Sequence, residues 1–130
     1  MSDETYPMDL RYFKKHDWVR VEGDEAVLGV TWFAQHALHR VVYIELPAVG
    51  DRVTGGQPYG ELESVKSVSE VFSPVTGAIV ATNGALLDVP EHVNRDCYGE
   101  GWLIRVRLDD AAEIDGLMDA DGYQAFLAQA

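Results

Sequence analysis

The sequence predicts a mainly β protein, a barrel or sandwich of short antiparallel strands followed by a helical tail. Three features predict it. Turn-forming residues recur every few positions between residues 50 and 84, which is the spacing expected between short strands. Residues 18–22 alternate and are followed by a Gly-Asp turn and a returning apolar run over residues 26–30, which is a hairpin pattern. After residue 109, apolar residues recur at helical spacing instead.

The first third of the chain predicts a hairpin, a helix and a strand in that order. Residues 18–22 and 26–30 form the two arms of the hairpin. Thr31 then stands where a helix N-cap is expected, at the start of the segment TWFAQHAL. Residues 41–46 are rich in β-branched and aromatic residues and end at Pro47, as a strand would.

The last third predicts a short helical turn over residues 86–91 and a further strand over residues 102–108. The tail, residues 109–130, is predicted to form one or two helices that pack on the barrel. No linker or change in composition divides the chain. We therefore expect one domain over residues 1–130, with its core in about residues 12–108.

Single residues predict how the tail is divided. Gly116 and Gly122 are expected to interrupt it, because glycine is unfavourable inside a helix. Asp110 and either Asp119 or Asp121 are expected to cap the resulting pieces.

Composition limits the kind of partner. The chain has 130 residues and a formal net charge of −12, with 47% apolar and 25% charged residues, a globular balance. Such a charge would repel nucleic acid and anionic membranes, so neither is expected, and it suits contacts with basic protein surfaces. The acidic N-terminus lacks the hydrophobic segment of a signal peptide, and the single cysteine, Cys97, suits a reducing compartment. We expect a bacterial cytoplasm, or the mitochondrial matrix for a processed eukaryotic form.

One lysine stands apart from the other two. The chain has three lysines, of which Lys14 and Lys15 are adjacent and Lys66 lies within ELESVKSVSEVFSPVTG. Apolar residues here allow a helix, but serine and valine are poor helix formers, and strand alternation changes phase close to Lys66. A phase change between two strand-like runs predicts a tight hairpin with Lys66 at or next to its tip. An exposed amine there suits covalent attachment, although most exposed lysines on turns are only solvated.

Short motifs along the chain, from about residue 12 to residue 108, resemble in order those of one known family. They are His16-Asp17-Trp18-Val19, Gly29-Val30-Thr31, Ala34-Gln35, VYIELP at residues 42–47, Val49-Gly50-Asp51, Glu63-Ser64-Val65-Lys66-Ser67-Val68-Ser69, Ser73-Pro74-Val75-Thr76-Gly77, Val93-Asn94 and Tyr98-Gly99-Glu100-Gly101-Trp102. The ordered set resembles the glycine cleavage system H protein, a lipoyl carrier. The tail resembles the C-terminal helix of that family.

The resemblance implies a flattened barrel of two small antiparallel sheets (a barrel-sandwich hybrid) with short helices and a C-terminal helix. It also implies that Lys66 carries lipoate through an amide bond. The protein would be a carrier rather than an enzyme, with no catalytic or metal-binding residues, and a monomer.

The resemblance further implies four partners. A lipoate ligase or a lipoyl/octanoyl transferase installs the group. The pyridoxal-phosphate-dependent glycine decarboxylase (P protein) then loads an aminomethyl group, and the tetrahydrofolate-dependent aminomethyltransferase (T protein) unloads it. Dihydrolipoyl dehydrogenase (L protein) reoxidises the arm.

Other residues take roles from the same resemblance. Glu63 and Gly77 match positions at which the attaching enzyme recognises its lysine. Asp17 and Glu70 match carboxylates beside the cleft that holds the ammonium of the loaded arm. Each could equally be a solvated surface acid, and Glu61 and Glu63 could instead be charges that protect a sheet edge from pairing.

Three positions depart from the pattern of the family: Trp32, the pair His39-Arg40, and Cys97. The first two are expected near the cleft and its rim, where they could change arm docking or the choice of partner enzyme. A divergent H-like protein that acts as a lipoyl donor or relay is therefore an alternative.

Further alternatives come from other classes. A biotinyl carrier usually has methionines beside its lysine, and a lipoyl domain of a 2-oxo acid dehydrogenase usually has a preceding aspartate. Here Val65 and Ser67 flank the lysine. An unmodified barrel that acts as a scaffold is a third alternative.

A metal site would need a third ligand. His36 and His39 lie three residues apart on the predicted helix, and His16 or Cys97 could join them. No second paired motif supports such a site, so no metal is expected.

Overall fold

The structure is a computed structural model and describes residues 3–129. Two antiparallel sheets pack against each other without closing into a barrel, which confirms the predicted fold class. The larger sheet has the strand order β1-β2-β3-β9-β8-β5 and the smaller has the order β4-β6-β7. The strands are β1 (Arg11–Phe13), β2 (Asp17–Glu22), β3 (Glu25–Val30), β4 (Val41–Glu45), β5 (Arg52–Val53), β6 (Pro58–Ser64), β7 (Val68–Phe72), β8 (Gly77–Thr82) and β9 (Ile104–Leu108).

Short helices connect and cover the sheets. They are α1 (Trp32–Leu38), α2 (Ala85–Asp88), α3 (His92–Arg95), a 3-10 helix (Ala111–Gly116) and α4 (Ala120–Gln129). Over residues 3–129, none of the helices is both long enough and apolar enough to cross a bilayer.

The main hydrophobic core lies between the two sheets. Leu28 and Ile79 enter it from the six-stranded sheet, and Leu62 and Val71 enter it from the three-stranded sheet. All four side chains are buried, and each such burial stabilises the fold by about 1.5–3 kcal/mol. Because Leu62 and Val71 lie on β6 and β7, this core fixes the base of the β6–β7 hairpin.

A second core covers the other face of the six-stranded sheet. Trp18 and Val27 point to that face because side chains alternate along a strand, and they pack beneath α4. The rings of Tyr12 and Tyr123 stack there with centroids 4.9 Å apart. Gly29 pairs with Trp18, and a β-carbon on Gly29 would lie 2.5 Å from the indole. The predicted packing of a helical tail on the sheets is therefore confirmed.

The predicted helix caps are present. The Thr31 side chain accepts a hydrogen bond from the amide of Ala34 at 3.3 Å and so begins α1. Asp110 caps the 3-10 helix through its side chain. Asp119, rather than Asp121, accepts an amide hydrogen bond at the start of α4.

Three features differ from the sequence predictions, one in the tail and two in short elements elsewhere. Gly116 does end the 3-10 helix, but the predicted interruption at Gly122 is wrong. Gly122 lies in the first turn of α4, where its amide donates to the Asp119 carboxylate at 2.8 Å. Helix α3 and strand β1 were also not predicted, because each is so short that tertiary contacts determine it.

Helix α1 ends in a strained conformation. His39 has φ 67° and ψ −153°, a region that only glycine adopts readily. Its amide donates to the carbonyls of Gln35 at 3.1 Å and His36 at 3.3 Å. Its carbonyl accepts from Asn94 Nδ2 at 2.7 Å. These contacts hold His39 in a conformation that costs on the order of 1–3 kcal/mol.

The His39→Gly variant should therefore raise the free energy of unfolding by about 1 kcal/mol, because the relief of strain exceeds the added entropy of an unfolded glycine. Urea denaturation followed by circular dichroism measures the change. The control is His36→Gly inside the same helix, which should lower stability. A loss of stability in both variants would show that His39 is not strained.

Candidate functional site

The stretch around Lys66 is a hairpin, so the prediction of a hairpin is confirmed and the helical alternative is wrong. The amide of Ser64 donates to the carbonyl of Ser67 at 2.8 Å, which leaves Val65 and Lys66 as the two residues of the turn. Both turn residues are exposed. Among residues 3–129, no acidic group forms an ion pair with Lys66.

The hydroxyl of Ser64 organises this turn, a role that the sequence analysis missed. Ser64 Oγ accepts hydrogen bonds from the amides of Lys66 at 3.1 Å and Ser67 at 3.0 Å. It donates to the Ser67 carbonyl at 3.1 Å. A serine two residues before the tip of a turn is a recognisable local signal, because serine hydroxyls often bond to the backbone in turns.

Strand β4 holds the turn from the other side. The amide of Val65 donates to the carbonyl of Arg40 at 3.1 Å, and Val41 pairs with Ser64. The turn backbone is therefore also bonded to the residue that leads into β4. The Lys66 side chain, in contrast, is left to the solvent.

A cleft of about 300 Å³ begins beside the turn, between α1, the β1–β2 connection and β7. Helix α1 supplies apolar side chains, whereas the connection and β7 supply the polar ones. The lining residues used below are Lys15, His16, Asp17, Phe33, Ala37 and Glu70. The structure thus brings together Asp17 and Glu70, two residues that the resemblance paired, in one cleft next to Lys66.

Asp17 is the unusual group in this cleft. Its side chain is only 1% exposed, and Oδ1 has no hydrogen-bond partner. Burial raises the pKa of Asp17 well above its ordinary value, and a hydrogen bond with the backbone of Phe72 opposes the rise only in part. The hydroxyl of Tyr59 also lacks a partner, and burial, with a smaller contribution from Asp17, raises the pKa of that tyrosine. A carboxyl in this state would be stabilised by an incoming cation.

His16 links the cleft to the C-terminal helix. Its Nδ1 lies 2.7 Å from the hydroxyl of Tyr123, which in turn lies 2.8 Å from Oγ1 of Thr31. Burial, and secondarily the charge of Lys15, lower the pKa of His16. The imidazole is therefore neutral at pH 7, and one of its nitrogens is already engaged.

The acidic residues near the hairpin lie along the three-stranded sheet. Glu63 lies on its outer face, and Glu70, which is exposed, lies on that face and also borders the cleft. Across that face, Glu45, Glu61 and Glu70 stand side by side on the three strands. The edge-protection alternative for Glu61 and Glu63 is wrong, because their strand, β6, is the central strand of its sheet.

Gly77 lies in the other sheet, at the start of β8, and not in the cleft. A β-carbon at Gly77 would collide with the carbonyl of Arg107 on β9. Close approach of two strands, rather than a left-handed turn, thus requires glycine at this position.

The departures noted in the sequence have structural consequences. The Trp32 ring stacks on His36 with centroids 4.3 Å apart. Cys97 is buried, which raises the pKa of its thiol to about 12, and its carbonyl accepts from the Trp18 indole at 2.9 Å. Within the described range 3–129, no three His, Cys, Asp or Glu side chains are placed to hold a metal, His36 and His39 included.

The comparisons with known proteins agree on one family. A family model described as Glycine cleavage H-protein matches residues 10–130. The glycine cleavage system H protein of Brevibacillus brevis is 50% identical over 124 residues, which cover 95% of this chain and 98% of that protein. The corresponding protein of Nostoc punctiforme is 48% identical over 120 residues, which cover 92% and 93%. A crystal structure of a glycine cleavage system H protein from Mycobacterium marinum matches with a TM-score of 0.83 at 34% identity, covering 95% of this chain and 97% of that chain.

The Asp17→Asn variant tests the buried carboxyl. The folded-state pKa is raised, so the stability that protonation provides is complete below about pH 4 and is lost as the pH rises toward that raised value. Asp17→Asn should therefore be more stable than the parent at pH 7 by about 1 kcal/mol or more, with the difference closing near pH 4. Urea denaturation at several pH values measures it. Glu70→Gln, at an exposed site in the same cleft, is the control, and a pH-independent effect of Asp17→Asn would contradict the raised pKa.

The Gly77→Ala variant separates packing from recognition. The collision with β9 should lower the free energy of unfolding by about 1–3 kcal/mol. Thermal unfolding measures the stability, and the yield of lysine modification is measured on the same samples. Unchanged stability with a lower yield would instead indicate direct recognition of Gly77 by the modifying enzyme.

Proposed function

Because the chain belongs to the glycine cleavage H-protein family, we propose that it is the lipoyl carrier of the glycine cleavage system, with lipoate on Lys66. The observation that best supports this proposal is the exposed Lys66 at the tip of a two-residue turn, without an ion-pair partner in the described part of the chain. An enzyme can reach such an amine. The turn that carries it is fixed by backbone hydrogen bonds, so the site has a defined shape for recognition.

The residues around Lys66 fit a lipoyl arm. The cleft begins at the turn, has an apolar wall on α1, and contains one buried carboxyl oxygen without a hydrogen-bond partner. The lipoyl group would supply a disulfide. This disulfide would be reduced as one of its sulfurs takes an aminomethyl fragment from glycine. Phe33 and Ala37 would limit the access of water to the arm, and Asp17 and Glu70 would hold a positively charged load.

The buried carboxyl of Asp17 fits this role. An unpartnered carboxyl inside a protein is costly, so its retention is explained if a cation binds there during part of the working cycle. Glu70 stands at the open side of the same cleft, where it can attract the cation without being desolvated. Together they would act as a buried and an exposed contact for the same ammonium.

The outer face of the three-stranded sheet would serve the partner enzymes. Glu63 stands on it, next to the turn, and we assign to it a part in the choice of lysine by the lipoate ligase or the lipoyl/octanoyl transferase. Gly77 would contribute through packing. The partners in catalysis would be the glycine decarboxylase, the aminomethyltransferase and the dihydrolipoyl dehydrogenase. A tethered arm gives each of them a high local concentration of the reacting group.

The relatives and the charge support the cellular setting that we propose. The relatives named above come from bacteria, so we place the protein in a bacterial cytoplasm. The net charge of −12 disfavours nucleic acid and anionic membranes as partners, and we expect a monomer that docks transiently.

The attachment site is tested by mass. Coexpression with a lipoate ligase should increase the intact mass by one lipoyl group, and Lys66→Arg should abolish the gain while the control Lys14→Arg retains it. A gain with biotin instead would assign the protein to the biotinyl carriers. No gain with either cofactor would leave an unmodified scaffold.

The lipoylated protein should next support glycine decarboxylation when it is combined with the other three components. This assay distinguishes glycine cleavage from a relay function. If the lipoylated protein donates its group to other acceptors but does not support decarboxylation, it is a lipoyl relay.

A further inference from the structure

The cleft contains a primary amine that the proposed function does not use. Lys15 lies in the connection between β1 and β2 and lines the cleft together with His16 and Asp17. Its Nζ lies 5.2 Å from the centre of the Phe72 ring on β7. The side chain thus extends from one wall toward the other, and a cation–π contact favours this position.

The ring that Lys15 covers lies on the same strand as Glu70, and both Lys15 and Glu70 line the cleft. Glu70 and Phe72 are two residues apart on β7, so their side chains leave the same face of the strand. No salt bridge joins Lys15 to an acidic group within residues 3–129, so its charge is not cancelled by a direct contact. The charge of Lys15 also reaches the neighbouring imidazole, since it is the second cause, after burial, of the lowered pKa of His16.

The charged groups that face the cleft can be named for each wall. The β1–β2 connection and the start of β2 contribute Lys15, a neutral His16 and an Asp17 that burial favours in its protonated form. Strand β7 contributes Glu70, and the α1 residues that line the cleft are apolar. Among these groups, Lys15 is therefore the positive charge that opposes the binding of a cation in the cleft.

We propose that Lys15 is a specificity-determining residue that weakens the hold of the cleft on a positively charged arm and leaves its hold on a neutral arm unchanged. This proposal rests on the proposed function, in which the arm is neutral when oxidised and carries an ammonium when loaded. Lys15 would compete with the loaded arm for Glu70 and would repel it. This carrier would thus release its load more readily than the same cleft without the amine.

The expected size of the effect assumes that the ammonium of the loaded arm would stand a few ångströms from that of Lys15 at a partly desolvated surface. At the effective dielectric of such a site, removal of one charge should change the equilibrium by roughly three- to tenfold. Salt should reduce the effect, because both charges remain partly exposed to solvent.

The chain provides a matched control for the experiment. Lys14 is the adjacent lysine; it lines two grooves with Phe13 and Leu117, one of which Lys15 also borders, but it is not part of the cleft. Lys15→Gln and Lys14→Gln therefore remove the same charge from neighbouring positions. Lys15→Arg removes the amine but keeps the positive charge. It therefore shows whether the effect depends on the charge or on the amine.

The first measurement uses the four lipoylated proteins after reduction. The arm is loaded with formaldehyde and ammonium, which condense with one thiol to give the aminomethyl thioether and one water. Mass spectrometry then follows the hydrolysis of the load. Lys15→Gln should lengthen the lifetime of the loaded arm roughly three- to tenfold, whereas Lys14→Gln and Lys15→Arg should match the parent. The difference should shrink in 1 M salt.

The second measurement follows the oxidised, neutral arm. Amide chemical shifts of β7 should report its occupancy of the cleft, and this occupancy should be equal in all four proteins. Equal lifetimes of the loaded arm in the parent and in Lys15→Gln would overturn the proposal. The same lengthening of the lifetime in Lys14→Gln would also overturn it, because the effect would then come from the general surface charge.

A third measurement uses the unmodified proteins and does not depend on lipoylation. Lys15→Gln should raise the pKa of His16 measured by NMR more than Lys14→Gln does, because only the charge of Lys15 faces the cleft. No difference between the two variants would overturn the proposal. If Lys66 gained no mass, the proposed function would be overturned instead. The pKa of His16 would then still show whether the charge of Lys15 faces the cleft.

Discussion

The hydrogen bonds of the Ser64 hydroxyl form the contact on which the rest of the site depends. One buried oxygen accepts the amides of Lys66 and Ser67 and donates to the Ser67 carbonyl, so it closes a turn of only two residues. A short turn leaves no room for the lysine side chain to fold back into the core. Because Leu62 and Val71 are buried below the turn, the main hydrophobic core supports the two strands that carry this exposed amine.

The cleft beside this turn contains features that reduce stability. Asp17 is buried with one oxygen unpartnered, and His39 ends α1 in a conformation suited to glycine. Each costs free energy that a sequence selected only for stability would avoid. Both lie within or next to the elements that form the cleft and support the hairpin, where a binding function would explain why they are kept.

The two hydrophobic cores hold different parts of the domain in place. The core between the sheets positions the hairpin, and the core on the outer face attaches α4. Tyr123 belongs to the second core, yet its hydroxyl reaches His16 at the cleft and Thr31 at the start of α1. The C-terminal helix therefore helps to position two walls of a cleft that it does not line.

The sequence by itself determined the features that depend on neighbouring residues. Thr31 and Asp110 act as caps and Lys66 lies in a hairpin turn, because capping and strand alternation are local properties of the chain. The ordered motifs also predicted the family and the pair of Asp17 with Glu70. Only the tertiary structure decided that Asp17 is buried, that Gly122 continues a helix, and that His16 meets a tyrosine 107 residues away. Burial and contact between distant segments depend on how the sheets and helices pack, and packing leaves no periodic signal in the chain that a local pattern could reveal.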